Sequence, residues 1–330
     1  MTTTRKPKKA ADIQRLNALY QTMSLIRQVE TALTRLFANS EVPGFIHLSI
    51  GQEAVAAGIA SALLPQDTLA TTHRGHGHVL ARGMDVNGFM KEIMGREGGL
   101  CKGRGGSMHV ADLSLGILGA NGIVGAGIPI ALGSAMAHQA RKTGGVAVTF
   151  FGDGAMAEGV LHETLNMAAL WKCPLLLVCE NNGWSEFSPT SRQFSASLEK
   201  LAGAFGAAYA QVDGNNALAV SDAAIAAAAQ LRAGQGPFVM ECTTTRVRGH
   251  FEGDAQKYRD ATEMESVHEQ DPLTAARNLL QAAGVDTVAL DQAIGAQVEA
   301  AVEAARADSL PAMETAIQDV YTQTVQETCS

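Results

Sequence analysis

The chain reads as an α/β protein: a central, mostly parallel sheet flanked by helices, with N-terminal helices before it and a C-terminal helical segment after it. Three observations predict this. Residues 145–245 alternate continuous apolar runs with helical patterns, and apolar strands separated by helices mark a parallel sheet buried on both faces. Residues 12–37 carry an apolar side chain at every third or fourth position. After Asp271 the chain is acidic, rich in alanine and helical in pattern.

In order, the first helix runs from Asp12, its cap, to Phe37 on the stripe Ile13, Leu16, Leu19, Met23, Ile26, Val29, Leu33 and Leu36. The turn EVPGF follows. A second helix is expected to open at Ser49, to hold Gln52 and Glu53 in its first turn, where a carboxylate suits the helix dipole, and to stop at Pro65. Residues 95–127 form a glycine-rich stretch of little periodicity, and long loops inside a compact domain are usually functional. An apolar helix over 124–141 comes next. Strands are expected at 145–151, 174–180, 208–212 and 237–245, with helices at 159–172, 197–206 and 216–232 between them. The expected division is a disordered basic tail over 1–11, an α/β domain over 12–270 and a helical extension over 271–330, the last a solvated face or subunit contact.

Composition limits the function. A net charge of -8 over 330 residues argues against nonspecific nucleic-acid binding, which needs a positive field. The basic start MTTTRKPKKA lacks the apolar run of a signal peptide, and no stretch reaches the roughly 20 apolar residues of a membrane span. Five cysteines without a CxxC pair read as unpaired thiols, and so as a cytoplasmic chain.

The chemistry is expected at the carboxyl ends of the strands. Strand 145–151 runs into Gly152-Asp153-Gly154, and strand 174–180 into Asn181-Asn182-Gly183. Asp153 supplies a carboxylate oxygen and Asn182 an amide oxygen, the ligand types that Mg2+ takes when it also holds a diphosphate. Each loop alone is an ordinary turn; the pair on successive strands is far more specific. Residues 71–78, TTHRGHGH, leave three readings open: a zinc site on His73, His76 and His78, an acid/base apparatus, or an anion grip. The loop 103-GRGGS-107 lacks the Gly-Lys-Ser/Thr ending of a P-loop, and 125-GAG-127 lacks the completing glycine of a dinucleotide site.

The run FFGDGAMAEGVLHETLNMAALWKCPLLLVCENNGW resembles the thiamine-diphosphate signature of α subunits of 2-oxo acid dehydrogenase E1 components. FIHLSIGQEA, THRGHGH, GGSMHVADLSLGILGANGIVGAG and RGHFEGDAQKYRD appear in the family's order, so the likeness spans roughly residues 15–320. Within the family, THRGHGH, LCKGRGGSMH and GHFEGDAQ are most similar to the acetoin dehydrogenase type.

The resemblance implies a thiamine-diphosphate-binding fold over 12–270. It implies Mg2+ on Asp153, Asn182 and the Trp184 carbonyl, aminopyrimidine contacts at Gly122 and Val124, and diphosphate contacts at Gly154 and Ala155. Arg74 would pair with a phosphate. His73 stands where pyruvate-type enzymes carry tyrosine. His47 would bind substrate, and His250 would reach the cofactor and assist proton or acyl transfer; each has a structural alternative as a simple hydrogen-bonding histidine. On this view THRGHGH grips the diphosphate and lines the substrate channel, with His78 a surface or packing histidine and His162 and Glu163 packing or capping residues.

The implied reaction cleaves acetoin to acetaldehyde and a hydroxyethyl fragment that is oxidised and passed to a lipoyl carrier. The alternatives are a pyruvate or other 2-oxo acid E1 α subunit and, in another class, a noncatalytic assembly or regulatory subunit. The family's activating glutamate belongs to the β subunit, so the implied partners are that subunit, in an α2β2 heterotetramer, and a lipoyl-bearing acyltransferase. Ala157 replaces the family's usual asparagine in the diphosphate loop. Phe251, Glu252 and Gly253 follow His250 where mitochondrial pyruvate enzymes carry phosphorylatable serines, so control by phosphorylation is not expected there.

Overall fold

The computed structural model describes residues 10–316. Residues 1–9 of the basic tail and Cys329 lie outside them. Helix α1 (Ala10–Ala38) starts just inside the segment assigned to that tail and buries the apolar stripe from Leu16 to Leu36. Helix α2 is shorter than expected, Glu53–Ala60 rather than 49–64. Gly51 sits at φ +101°, outside helical space, so the helix cannot begin before it. Past Ala60 the chain tightens, with Ala62 N donating to Ile59 O and Leu63 N to Ala60 O, a three-residue spacing that ends an α-helix.

The Glu53 carboxylate accepts from Gly51 N at 3.0 Å and from Arg27 Nε at 2.5 Å. Arg27 Nη2 reaches Asp271 at 2.9 Å, so one guanidinium joins α1, α2 and the start of the C-terminal helices. A Cβ on Gly51 would strike the Thr245 carbonyl and lie 2.7 Å from a Val247 methyl. Gly51→Ala is therefore expected to cost about 2–4 kcal/mol, from overpacking and a strained φ together. A urea titration should show this as a lower midpoint at constant slope; a change below about 0.5 kcal/mol would mean that the 245–247 segment yields freely.

Several short elements escaped the sequence pattern. Strands β1 (Thr68–Ala70) and β2 (Ile117–Gly119) have three residues each, too few for alternation to show. Short helices α3 (His76–Ala81) and α4 (Val86–Ile93) lie between them. Helix α5 (Gly127–Arg141) begins three residues later than expected, because Ala126 N closes a turn on Ile123 O first.

Thereafter the alternation is as expected, through β3 (Ala147–Gly152), α6 (Gly159–Leu170), β4 (Leu175–Asn181), α7 (Leu198–Ala204), β7 (Ala208–Asp213), α8 (Ala217–Arg232) and β8 (Phe238–Thr243), except that an unexpected short hairpin β5–β6 (Trp184–Ser185 and Ser188–Pro189) follows β4. Helices α9 (Ala261–Ser266), α10 (Pro272–Ala282) and α11 (Thr287–Arg306) follow.

The sheet is parallel, in the order β2-β1-β3-β4-β8-β7. Its residues divide by parity, as strand geometry requires. Val148, Phe150, Leu176 and Val178 face the layer of α1, α2 and α8, while Ala147, Phe151, Leu175, Leu177 and Cys179 face α5 and α6. Helix α11 joins the first layer through Val298, Ala301, Val302 and Ala305. Its Asp291 takes the hydroxyls of Tyr20 and Ser24 on α1 at 2.8 and 2.6 Å. No helix among the described residues is long and apolar enough to cross a membrane.

Candidate functional site

Strands β1, β3, β4 and β8 all end on one rim, and the segments leaving them border a cavity of about 360 Å³. This is the carboxyl edge of a parallel sheet, where ligands of such folds bind. Register pairs Gly152 of β3 with Glu180 of β4, so Asp153 and Asn182 leave the sheet side by side. Asp153 is 2% exposed and forms no ion pair among the described residues. It accepts hydrogen bonds from the Thr190 hydroxyl and, at 3.4 Å, from Asn182 N. Burial raises its carboxyl pKa. Asn182 Nδ2 donates to Gln52 Oε1 at 3.0 Å and its Oδ1 accepts from Trp184 N at 3.1 Å. Gln52, which the sequence marked only as a first-turn residue, thus fixes the amide's orientation.

Every position to which the resemblance gives a cofactor, metal or substrate role lines this cavity: His47; His73 and Arg74 after β1; Gly122 and Val124 before α5; Asp153, Gly154 and Ala155 after β3; Asn182 and Trp184 after β4; and His250 after β8. A Cβ on Gly154 would collide with the Ser185 side chain, so this wall is closed to any larger residue.

Arg74 is buried, but its fork is already engaged: Nη1 donates to Leu48 O at 2.6 Å and Nη2 to His250 O at 2.9 Å. Burial pushes its pKa down to about 10. The arginine that the sequence reading missed is Arg246, 1% exposed and lining the same cavity. Its Nη2 donates to the Tyr258 hydroxyl at 2.8 Å, while its buried Nε has no partner among the described residues. A buried donor without an acceptor costs roughly 1–3 kcal/mol, which an arriving anion would recover. Its only sequence signal was a position just past a continuous apolar strand.

The histidines of THRGHGH part company. His76 and His78 lie on α3, both buried, with every ring nitrogen engaged. His76 bonds Glu30 at 3.1 Å and Ser107 at 2.7 Å. His78 bonds Thr71 at 2.6 Å and Glu180 at 3.1 Å, and stacks on Phe150 at 3.7 Å. His78 is thus a packing histidine, and the trio His73, His76 and His78 does not converge on a metal. His73 turns the other way, toward His47 and His250, at ring-centroid distances of 4.7 and 5.6 Å; His47 and His250 are 5.1 Å apart. His162 donates from Nε2 to the Met156 carbonyl at 3.1 Å.

Burial first, and the Arg74 charge second, lower the pKa of His47 to about 3, of His250 to about 4, and of His73 well below the usual value. The unfolded chain binds these protons near pH 6.5, so their contribution to stability is complete above that pH and is lost as pH falls through the folded values. Thermal stability is therefore expected to decline between about pH 6.5 and pH 4. The pair His47→Asn and His250→Asn should flatten that decline; an unchanged slope would assign the acid sensitivity to other groups.

Glu92 on α4 is a second residue the sequence did not reveal. Fully buried, it accepts from the amides of Cys101 and Gly103 at 2.7 and 2.8 Å and of Gly105 and Gly106 at 2.7 and 3.0 Å. One carboxylate therefore folds the glycine-rich loop that carries Ser107, the partner of His76, and Met108, on the cavity wall.

The family model described as dehydrogenase E1 component matches residues 21–317. The chain is 43% identical over 307 residues to the α subunit of acetoin:2,6-dichlorophenolindophenol oxidoreductase of Bacillus subtilis, with 92% of each chain covered. It is 43% identical over 320 residues to the subunit of the same name from Cupriavidus necator, covering 94% of this chain and 95% of the other. The α subunit of the pyruvate dehydrogenase E1 component of Zymomonas mobilis is 41% identical over 310 residues, at 92% and 88% coverage.

Proposed function

Because the chain belongs to the dehydrogenase E1 component family, as an oxidoreductase α subunit, we propose that it is the α subunit of an acetoin-cleaving enzyme that uses thiamine diphosphate and Mg2+. The observation that carries the reading is the pairing, on one rim, of a buried carboxylate with a buried guanidinium, Asp153 and Arg246, neither of them in a direct ion pair among the described residues and the second with an unpartnered Nε–H. A metal diphosphate answers both needs at once.

The cavity residues fit the group. Asp153, the Asn182 amide oxygen and the Trp184 carbonyl offer hard oxygen donors for Mg2+. Gly154 and Ala155 would present backbone to the diphosphate and Arg246 would add a donor, while Arg74 holds the walls together. Gly122 and Val124, on the cavity wall, would meet the aminopyrimidine ring. When bound, the cofactor supplies an electron sink for breaking the bond beside a carbonyl. His47 and His250, uncharged at neutral pH, are placed to hold the substrate oxygen and to move a proton at it.

Ile123, Val124, Ile130 and Met136, on and just before α5, and Met167 and Leu170 on α6 are exposed apolar side chains that would suit contact with the E1 β subunit in an α2β2 assembly. That subunit would supply the carboxylate for cofactor activation, and a lipoyl-bearing acyltransferase would accept the product fragment. The chain alone is expected to be inactive.

The 41% identity to a pyruvate dehydrogenase E1 α subunit favours the one competing reading, a 2-oxo acid substrate. Dye reduction by the α/β complex with Mg2+ and thiamine diphosphate separates the two. A kcat/KM for acetoin at least tenfold above that for pyruvate, about 1.4 kcal/mol of transition-state preference, is the expected result. The opposite preference moves the chain to the 2-oxo acid branch, and failure to bind the cofactor removes the enzymatic reading altogether.

A further inference from the structure

Six of the twelve residues 95–106 are glycine. Such a stretch has few side chains to pack and much entropy to lose on ordering, so its shape depends on what holds its backbone. From inside, the Glu92 carboxylate takes the amides of Cys101, Gly103, Gly105 and Gly106. Two amides that it does not reach go to the chain beyond α11: Glu97 N donates to Ser309 O at 2.9 Å and Gly98 N to Asp308 Oδ2 at 3.1 Å.

The contact is wider than these two bonds. The same Asp308 oxygen pairs with Lys91 Nζ at 3.0 Å, and the Ser309 hydroxyl donates to Glu97 at 2.9 Å. Arg104 Nη2 donates to the carbonyl and hydroxyl oxygens of Thr315 at 2.7 and 2.8 Å. Helix α11 packs on α4, so the chain leaving α11 at Arg306 runs beside the loop leaving α4 at Ile93. A Cβ on Gly98 would strike the Asp308 carboxylate, so the two segments meet as closely as glycine allows.

We propose that residues 308–315 are a strap that sets the position of the cavity wall, with Asp308 as its chief positioning residue. The inference rests on reading the cavity as a cofactor site. The path from strap to wall is short. Ser107 ends the loop on His76 at 2.7 Å, and Met108 follows it onto the wall. The Met108 sulfur lies 3.5 Å from where a Cβ on Gly122 would stand, so it abuts the 121–125 segment that borders the same cavity. A displaced loop therefore displaces Met108, and the wall beside Gly122 with it. Packed, contiguous contacts of this kind alter ligand affinity without touching the ligand. The segment after α11 is thereby a working part of the site rather than a solvated face alone.

The test is calorimetric titration of thiamine diphosphate, with Mg2+, into the α/β complex, unmutated and with Asp308→Ala, Asp308→Asn or Glu299→Ala. Asp308→Ala should weaken binding about tenfold and raise the cofactor KM at unchanged kcat. Asp308→Asn keeps an oxygen for Gly98 N and should regain most of the affinity. Glu299→Ala breaks an exposed ion pair between α11 and α1 and should leave affinity unchanged. Equal losses in Asp308→Ala and Glu299→Ala, or none in either, would overturn the inference. A second measurement needs no cofactor. Peroxide oxidation of Met108, mapped by mass spectrometry, should run about fivefold faster in Asp308→Ala, with the fully buried Met23 unchanged as the gauge of global folding. Should Met23 respond as well, Arg104→Gln loosens the other end of the strap and carries the same expectation. Equal Met108 rates in a folded variant overturn the inference. They do so even if the unmutated complex binds no thiamine diphosphate, the result that would sink the E1 reading instead.

Discussion

Asp153→Ala should abolish Mg2+-dependent binding of thiamine diphosphate by the α/β complex, with a loss of at least about 10³-fold in kcat/KM. The expectation follows from the position of this carboxylate. It lies at the carboxyl end of β3, nearly without exposure, with two hydrogen bonds and no ion pair among the described residues. Burial raises its pKa, so the ionised form is under strain until a cation arrives.

A second consequence has the opposite sign. The stabilising contribution of a group whose folded pKa is raised is present at low pH and lost as pH rises through that pKa. Asp153→Asn should therefore raise the melting temperature of the metal-free chain at pH 7, and the gain should vanish near pH 3. Removing Mg2+ from the unmutated complex with a chelator should mimic the binding defect but not the gain in stability. Retained cofactor affinity in Asp153→Ala would move the metal elsewhere. A metal-free Asp153→Asn chain of lowered stability would show that the Thr190 and Asn182 hydrogen bonds outweigh the burial cost.

The sheet was legible because its inner strands advertise themselves: Val148 to Phe151 and Leu175 to Cys179 are buried on both faces, so apolar runs stand out between helices. GDG and NNG were legible for the same reason, since each follows such a run directly. β1 and β2 were not, at three residues apiece. Within the site, residue type and local spacing located the positions but not their bonds. Nothing in THRGHGH says that His73 joins His47 and His250 while His76 and His78 turn inward to Glu30 and Glu180; that division depends on α3 starting at His76. Arg74 carried the expected guanidinium, yet the tertiary fold gave two of its donors to carbonyls and left a free donor on Arg246, 172 residues away by number. Long-range partnerships of this kind have no local pattern to betray them.

Glu92 is the extreme case, and its replacement carries the largest expected loss of stability. Four amides from a six-residue stretch converge on its two oxygens, at 2.7 to 3.0 Å. Each amide is a donor that would otherwise be left without an acceptor in a half-buried loop. Glu92→Ala removes all four acceptors, and a cost of about 3–5 kcal/mol is expected, large beside the total stability of a domain. Glu92→Gln should cost less, about 2–3 kcal/mol: the amide oxygen serves two donors, but the amide nitrogen meets the other two donor to donor. Glu92→Asp, one methylene shorter, cannot reach both pairs and should fall between.

The loop, not the sheet, should respond. Hydrogen exchange at Cys101, Gly103, Gly105 and Gly106 should accelerate in Glu92→Gln while the amides of β3 and β4 keep their protection relative to the lowered global stability. Because Ser107 and Met108 follow directly, the loosened loop should also weaken cofactor binding in the assembled complex, a defect that added cofactor overcomes in Glu92→Gln but not in Asp153→Ala. Unchanged exchange at the four amides would show that the backbone of residues 101–106 holds its shape without the carboxylate, and would leave Glu92 a buried charge with no structural task.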